Sequence, residues 1–250
     1  MKMFFLATLI LQSGLSMAHP PHLSEEMNRL GTELDESQLT SKPMIKLTGA
    51  LEDATITAGK PYTLSCEFLT TPSGNVQWRK NGEILQGSLH INVDEKMLNV
   101  GKQVVDSGIV ASTYTIECPT AEDSGVYTCA AFNGYKTIES SAVVQVVGES
   151  TPCRRNHRSA PKIVQWSDSR FEMEGNIATL SCRSDKRAEW AWSYDGQLLK
   201  DESRYEVMPN GDLRIHAIEW DDMGTYVCIA RNRHGETRQD TFLYPTAKKA

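Results

Sequence analysis

Asp123-Ser124-Gly125-Val126-Tyr127-Thr128-Cys129 returns further along the chain as Asp222-Met223-Gly224-Thr225-Tyr226-Val227-Cys228. The residues around this pattern return with it. Leu64-Ser65-Cys66 is answered by Leu180-Ser181-Cys182, and Trp78-Arg79-Lys80-Asn81-Gly82 by Trp192-Ser193-Tyr194-Asp195-Gly196. An isoleucine, Ile116 or Ile215, precedes each aspartate at the same spacing, and Ala131 and Asn133 match Ala230 and Asn232. The chain therefore carries two copies of one domain, about 44–148 and 160–246.

Within each copy the apolar residues alternate. Leu64, Cys66 and Phe68 fall on one phase, with Thr63, Ser65 and Glu67 on the other. Val126-Tyr127-Thr128-Cys129 alternates in the same way. Period two, with β-branched and aromatic residues, reads as half-buried strands. Asn81-Gly82 and Asp195-Gly196 read as tight hairpin turns. No long helical period is present. The expected fold is all-β, two tandem sandwiches.

Cys, then Trp, then Asp-x-Gly-x-Tyr-x-Cys resembles the immunoglobulin superfamily, of the I-set type, and the resemblance covers both copies. It implies core disulfides Cys66–Cys129 and Cys182–Cys228. It further implies that Trp78 and Trp192 pack on those bridges, and that Tyr127 and Tyr226 close the corner before the second cysteine. Cys118 and Cys153 are left over. Cys118 falls near the end of strand E and Cys153 just past strand G, two strands that run the same way and end at one pole. A Cys118–Cys153 bridge restraining the linker is therefore expected. An intermolecular bridge or two free thiols are the alternatives, disfavoured by an oxidising compartment.

The copies differ in length. Between the tryptophan and the aspartate, domain 1 has about fifteen more residues than domain 2, around 88–110. They include Met97, Leu98, Val100, Val104, Val105, Ile109 and Val110. Longer C′ and D strands, or one extra hairpin, are expected there. An apolar contact surface is the competing reading.

Residues 1–18 read as a secretory signal peptide. Lys2 is followed by MFFLATLIL, and Ser16 and Ala18 are the small residues before a cut at His19. The run is too short to cross a bilayer, which needs ~20 residues. The C-terminal residues YPTAKKA lack the apolar tail of a lipid-anchor signal. A secreted, extracellular product without a membrane anchor is expected. Residues 19–43 read as a flexible acidic arm, with Met27, Leu30 and Leu34 at helix-like spacing after Ser24. His19 and His22, which flank two prolines, make no formed metal site.

Hydrophobic residues are 40% and charged residues 23%, as in globular chains. The net charge of −6 argues against nucleic acid as a partner. The linker 149–159 departs from this acidity. Arg154, Arg155 and Arg158, with His157 among them, read as a solvated linker, a processing site or a patch for a sulfated glycan. No nucleophile elbow, His-Glu-x-x-His, phosphate loop or Cys-x-x-Cys pair is present. A non-catalytic binding protein is expected, with no cofactor and no metal. Phe132, on the outward phase after Cys129, and Trp220, in the E–F turn, are the candidate partner contacts.

Signal peptide, two Ig domains and a short linker are similar to the secreted two-Ig (zwei-Ig) proteins of nematodes. That resemblance implies extracellular protein interactions that keep axons and neuronal cell bodies in position. A more distant likeness, to an insect secreted two-Ig protein that binds insulin-like peptides, implies sequestration of a peptide hormone instead.

Overall fold

Leu64, Cys66 and Phe68 point inward from β3 (Tyr62–Thr71) and are almost fully buried, as their alternation requires. The computed structural model describes residues 25–30, 38–149, 153, 158–200 and 204–247. In domain 1, β3 stands between β1 (Met44–Gly49) and β6 (Ser107–Ile116). The facing sheet has the order β2 (Ala54–Thr57), β8 (Thr137–Val147), β7 (Gly125–Phe132), β4 (Asn75–Lys80) and β5 (Glu83–Gly87). Trp78, Tyr127, Val76 and the Cys66–Cys129 bridge fill the space between them. The β4–β5 turn holds Asn81 at φ 48° and Gly82 at φ 89°. Both central residues are left-handed, as a type I′ turn needs.

Domain 2 repeats the sandwich. One side is β10 (Ala178–Leu180), β15 (Leu213–Ile215) and β14 (Tyr205–Val207). The other runs β9 (Ile163–Met173), β17 (Gly235–Thr246), β16 (Gly224–Asn232), β12 (Glu189–Tyr194) and β13 (Gln197–Leu198). The short β11 (Cys182–Ser184) pairs with the first part of β9. The core gathers Leu180, Trp192, Leu213, Ile215, Tyr226 and Leu243 around Cys182–Cys228.

The extra residues of domain 1 do not form the expected long C′ and D strands or a hairpin. They make a short helix, Val93–Leu98, whose first turn is capped by Asn92 Oδ1 accepting from Glu95 N at 3.2 Å. Among the described residues no strand D covers the outer edge of β6, whereas β14 covers β15 in domain 2. An uncovered edge presents unpaired N–H and C=O groups. Here β9 of domain 2 fills it, antiparallel, from Ser107↔Phe171 to Ser112↔Gln165. One sheet of nine strands therefore crosses both domains.

This pairing sets the domains side by side and corrects the expectation of two bodies joined through a linker whose freedom a disulfide limits. Cys118 and Cys153 are bonded, with Cα atoms 5.7 Å apart, but that bridge is one tie among many. The arm also meets domain 1 before the expected boundary at 44. Leu39 forms a bridge with Val104, and Asn28, in the helical stretch 25–30, donates to Leu89 O and accepts from Ile91 N. The expected signal peptide, residues 1–18, lies outside the described residues.

Candidate functional site: the junction and the sheet face across it

The junction is built from charges that alternation would place in water. Arg170 is 2% exposed and Glu172 is fully buried, while Phe171 between them is half-buried. Arg170 Nη2 reaches Glu95 Oε1 at 2.5 Å, Asp106 Oδ1 at 3.0 Å and Glu172 Oε2 at 3.3 Å. Lys96 Nζ donates to Asp106 Oδ2 at 2.9 Å. Glu95 and Lys96 come from the short helix, and Asp106 from the turn before β6. The domain 1 insertion thus brings three charges onto two from β9.

Glu172 accepts further hydrogen bonds from the backbone N–H groups of Val105, Asp106 and Met173 and from Asn176 Nδ2. Asn99 docks like a piece of backbone. Its Nδ2 donates to Ile177 O at 2.8 Å and its Oδ1 accepts from Ile177 N at 2.9 Å. Trp78 Nε1 donates to Ser112 Oγ at 2.9 Å, and Ser112 Oγ donates to Val164 O in domain 2 at 2.8 Å. The core tryptophan of domain 1 is therefore wired across the seam.

Three carboxylates face two cations, and Glu95 and Asp106 are shifted in opposite directions. Burial pushes Glu95 up to about 7, with Arg170 opposing and Asp106 and Glu172 adding to the rise. Burial also acts to raise Asp106, but Lys96 and Arg170 overcome it and hold it well below the usual carboxylate range. Arg170 stays charged, because Glu95, Asp106 and Glu172 outweigh the effect of its burial. Glu95, Asp106 and Glu172 lie close enough to hold a metal ion. Arg170 and Lys96 already occupy the space that a cation would take.

The sign of the pH effect follows. The folded state holds the Glu95 proton to about 7, whereas its ordinary value is 4.5. That contribution to stability is complete below 4.5 and is lost as pH rises through about 7. The melting temperature of the chain should therefore fall across this window. Glu95→Gln should flatten that slope, and an equally steep slope in the variant would rule Glu95 out as its source.

On the opposite side of the same sheet an apolar band crosses the seam. Leu69, Ile109, Ser169 and Phe242 stand in register on β3, β6, β9 and β17. The next row holds Ser107, Phe171 and Tyr244. The Phe171 and Tyr244 rings lie 5.9 Å apart, and Trp220 packs edge-on to Tyr244, also at 5.9 Å. Trp220 is 48% exposed and Phe242 41%.

The cysteines and the residues of the repeated pattern cluster in the two cores. Trp78, Trp192, Tyr127 and Tyr226 are buried there. Tyr127 Oη donates to Asp123 O at 2.9 Å and Tyr226 Oη to Asp222 O at 3.1 Å. Trp192 Nε1 donates to Gly211 O at 3.0 Å. Phe132 is half-buried at the end of β7, on the other sheet of domain 1 from the band, so no contact joins it to Trp220. Arg154 and Arg155 lie outside the described residues, and Arg158 is exposed at the start of domain 2. Of the apolar insertion residues, Val104 and Val110 are buried and Met97, Leu98 and Val100 exposed, so neither expectation covers them all. Glu95, Lys96, Asp106, Arg170 and Glu172 carry no site signal in the sequence. An alternating charged strand reads as a solvent face, and the insertion carried no partner signal of its own.

Two disulfide-bridged sandwiches sharing one sheet define a tandem immunoglobulin-domain protein. Family models for the immunoglobulin I-set domain and the immunoglobulin domain match residues 45–146 and 160–232. The chain belongs to the two-Ig, or Zwei Ig domain, family. It is 51% identical to the Caenorhabditis elegans Zwei Ig domain protein zig-4 over 99% of both chains. It is 45% identical to zig-3 of the same organism, over 92% of this chain and 94% of that one. Drosophila melanogaster neural/ectodermal development factor IMP-L2 is 32% identical over 85% of this chain and 78% of its own. The crystal structure of IMP-L2 aligns with a TM-score of 0.65 at 26% identity, covering 83% of this chain and 97% of that one.

Proposed function

We propose that this chain is a secreted, non-catalytic binding protein that holds an extracellular protein partner on the sheet face spanning both domains. The observation that carries the reading is the aromatic band of Phe171, Tyr244, Trp220 and Phe242, continued across the seam by Ile109 and Leu69. Monomers rarely leave aromatic rings in contiguous exposed patches without use, and interface centres favour them. No helix among the described residues is long and apolar enough to cross a membrane, which is compatible with release from the cell. Membership of the two-Ig family supports a role in keeping axons and neuronal cell bodies in place. The likeness to IMP-L2 favours sequestration of an insulin-like peptide as the second reading.

Trp220→Ser with Phe242→Ser removes exposed rings without opening a core. It should weaken partner or neuronal-surface binding by at least about tenfold, the scale of an aromatic hot spot. Val126→Ser with Val143→Ser, on the opposite sheet of domain 1, should leave binding unchanged. Deleting the gene should spare axon outgrowth and let axons drift later, with rescue by the wild-type chain and not by the ring-less variant. A deletion that altered only growth or nutrient storage would replace the axonal reading with hormone capture. Equal binding by both double variants would remove the band from either reading.

A further inference from the structure

A second surface, apart from the sheet face, collects positive charge on an acidic chain. The pole of domain 2 nearest the linker is formed by the β11–β12 turn and the β16–β17 turn, with residues 158–161 laid between them. Lys186 Nζ donates to Ser159 Oγ at 2.7 Å, Asn232 Nδ2 to Ser159 O at 2.9 Å and Thr237 Oγ1 to Pro161 O at 2.7 Å. The two turns, the strand ends beside them and residue 158 carry Arg158, Lys186, Arg187, Arg231, Arg233 and Arg238, against the carboxylates Asp185, Glu189 and Glu236. Six cations to three anions gives a local excess opposite in sign to the net charge of −6.

Local pairing leaves part of this charge available. Glu236 is shared by Arg231 at 2.9 Å and Arg238 at 2.8 Å, so one carboxylate faces two guanidinium groups. Arg187 and Arg233 are exposed and have no carboxylate partner among the described residues. Beside Lys186 and Arg187 opens a cleft of about 550 Å³, lined also by Trp190, Val207, Met208, Pro209 and Asn210. Cations at the rim of a cleft with an indole wall suit an anionic sugar chain. The ring face of a sugar packs on the indole while its anionic groups meet the arginines.

We propose that this pole is a binding site for a sulfated polysaccharide. The linker arginines suggested such a ligand from sequence, but the charge that the described residues supply comes from the two turns of domain 2. An anionic bilayer is the weaker fit. The large exposed apolar residues of domain 2, Leu198, Trp220 and Phe242, belong to its other end, away from the cations. The site is independent of the sheet face and stands or falls separately from it.

The test is binding of the full chain to heparin across a salt series. The wild-type chain should be retained at physiological salt, and its affinity should fall linearly on a log–log plot against salt as counterions are released. Arg187→Ser with Arg233→Ser should lower affinity at least about tenfold and reduce the salt slope by about one to two. Lys42→Ser with Lys136→Ser, an equal charge change at the far end of domain 1, should change neither. Failure of the wild-type chain to bind, or an equal loss in both double variants, would overturn the site. Equal or tighter binding to phosphatidylserine vesicles than to heparin would assign the pole to a membrane surface and overturn the glycan.

Discussion

Arg170→Leu should part the two domains. The guanidinium is the shared partner of Glu95, Asp106 and Glu172, all nearly inaccessible to water. Without it, three carboxylates face Lys96 alone. Breaking a buried ionic cluster by deleting one partner costs about 3–5 kcal/mol, because the remaining charges stay desolvated and uncompensated. Leucine cannot restore the hydrogen bonds to Ser107 O and Phe171 O that Arg170 Nη1 makes at 3.2 Å and 2.8 Å. The two cores lie away from this cluster, so each sandwich should persist. Calorimetry should then show two transitions where the wild-type chain shows one, and X-ray scattering should report a larger radius of gyration. Arg170→Lys keeps a charge but not the fork, and should fall between them. A single transition at the wild-type temperature in Arg170→Leu would mean that the shared sheet holds the junction without the cluster.

Replacing Cys182 and Cys228 together by alanine should be at least as damaging. The bridge closes a separation of 46 residues, for which the chain-entropy account gives about 4 kcal/mol. Net domain stability is ~5–15 kcal/mol, so domain 2 would be close to unfolding at body temperature. Its loss would also take away β9, the strand that covers the β6 edge of domain 1, and so expose that edge to aggregation. A loss of tryptophan burial seen by fluorescence, and a poor yield of folded chain, should accompany the lower melting point. A variant that folds in wild-type yield with an unchanged melting point would refute this ranking. The Cys118–Cys153 bridge, with a separation of 35 residues, works beside the shared sheet and the ionic cluster, so domain 2 leans on it less than on its core bridge.

The sequence alone determined the two sandwiches. Cys66, Trp78, Tyr127 and Cys129, and their counterparts Cys182, Trp192, Tyr226 and Cys228, act within a single domain through strand alternation and a local corner bond. Such short-range demands leave fixed residue types at fixed spacing, and these are readable. Asn81-Gly82 was readable for the same reason, since the turn needs left-handed backbone at both positions. How the two sandwiches meet was decided by tertiary structure. The β6–β9 pairing is made of backbone hydrogen bonds, which ask for no particular side chain, and it depends on a strand that the insertion fails to form. Arg170 and Glu172 look like a solvent face until the helix Val93–Leu98 and the turn at Asp106 bring opposite and like charges against them. Those partners lie far apart along the chain, and their meeting is set by packing of the whole molecule, for which local spacing carries no signal.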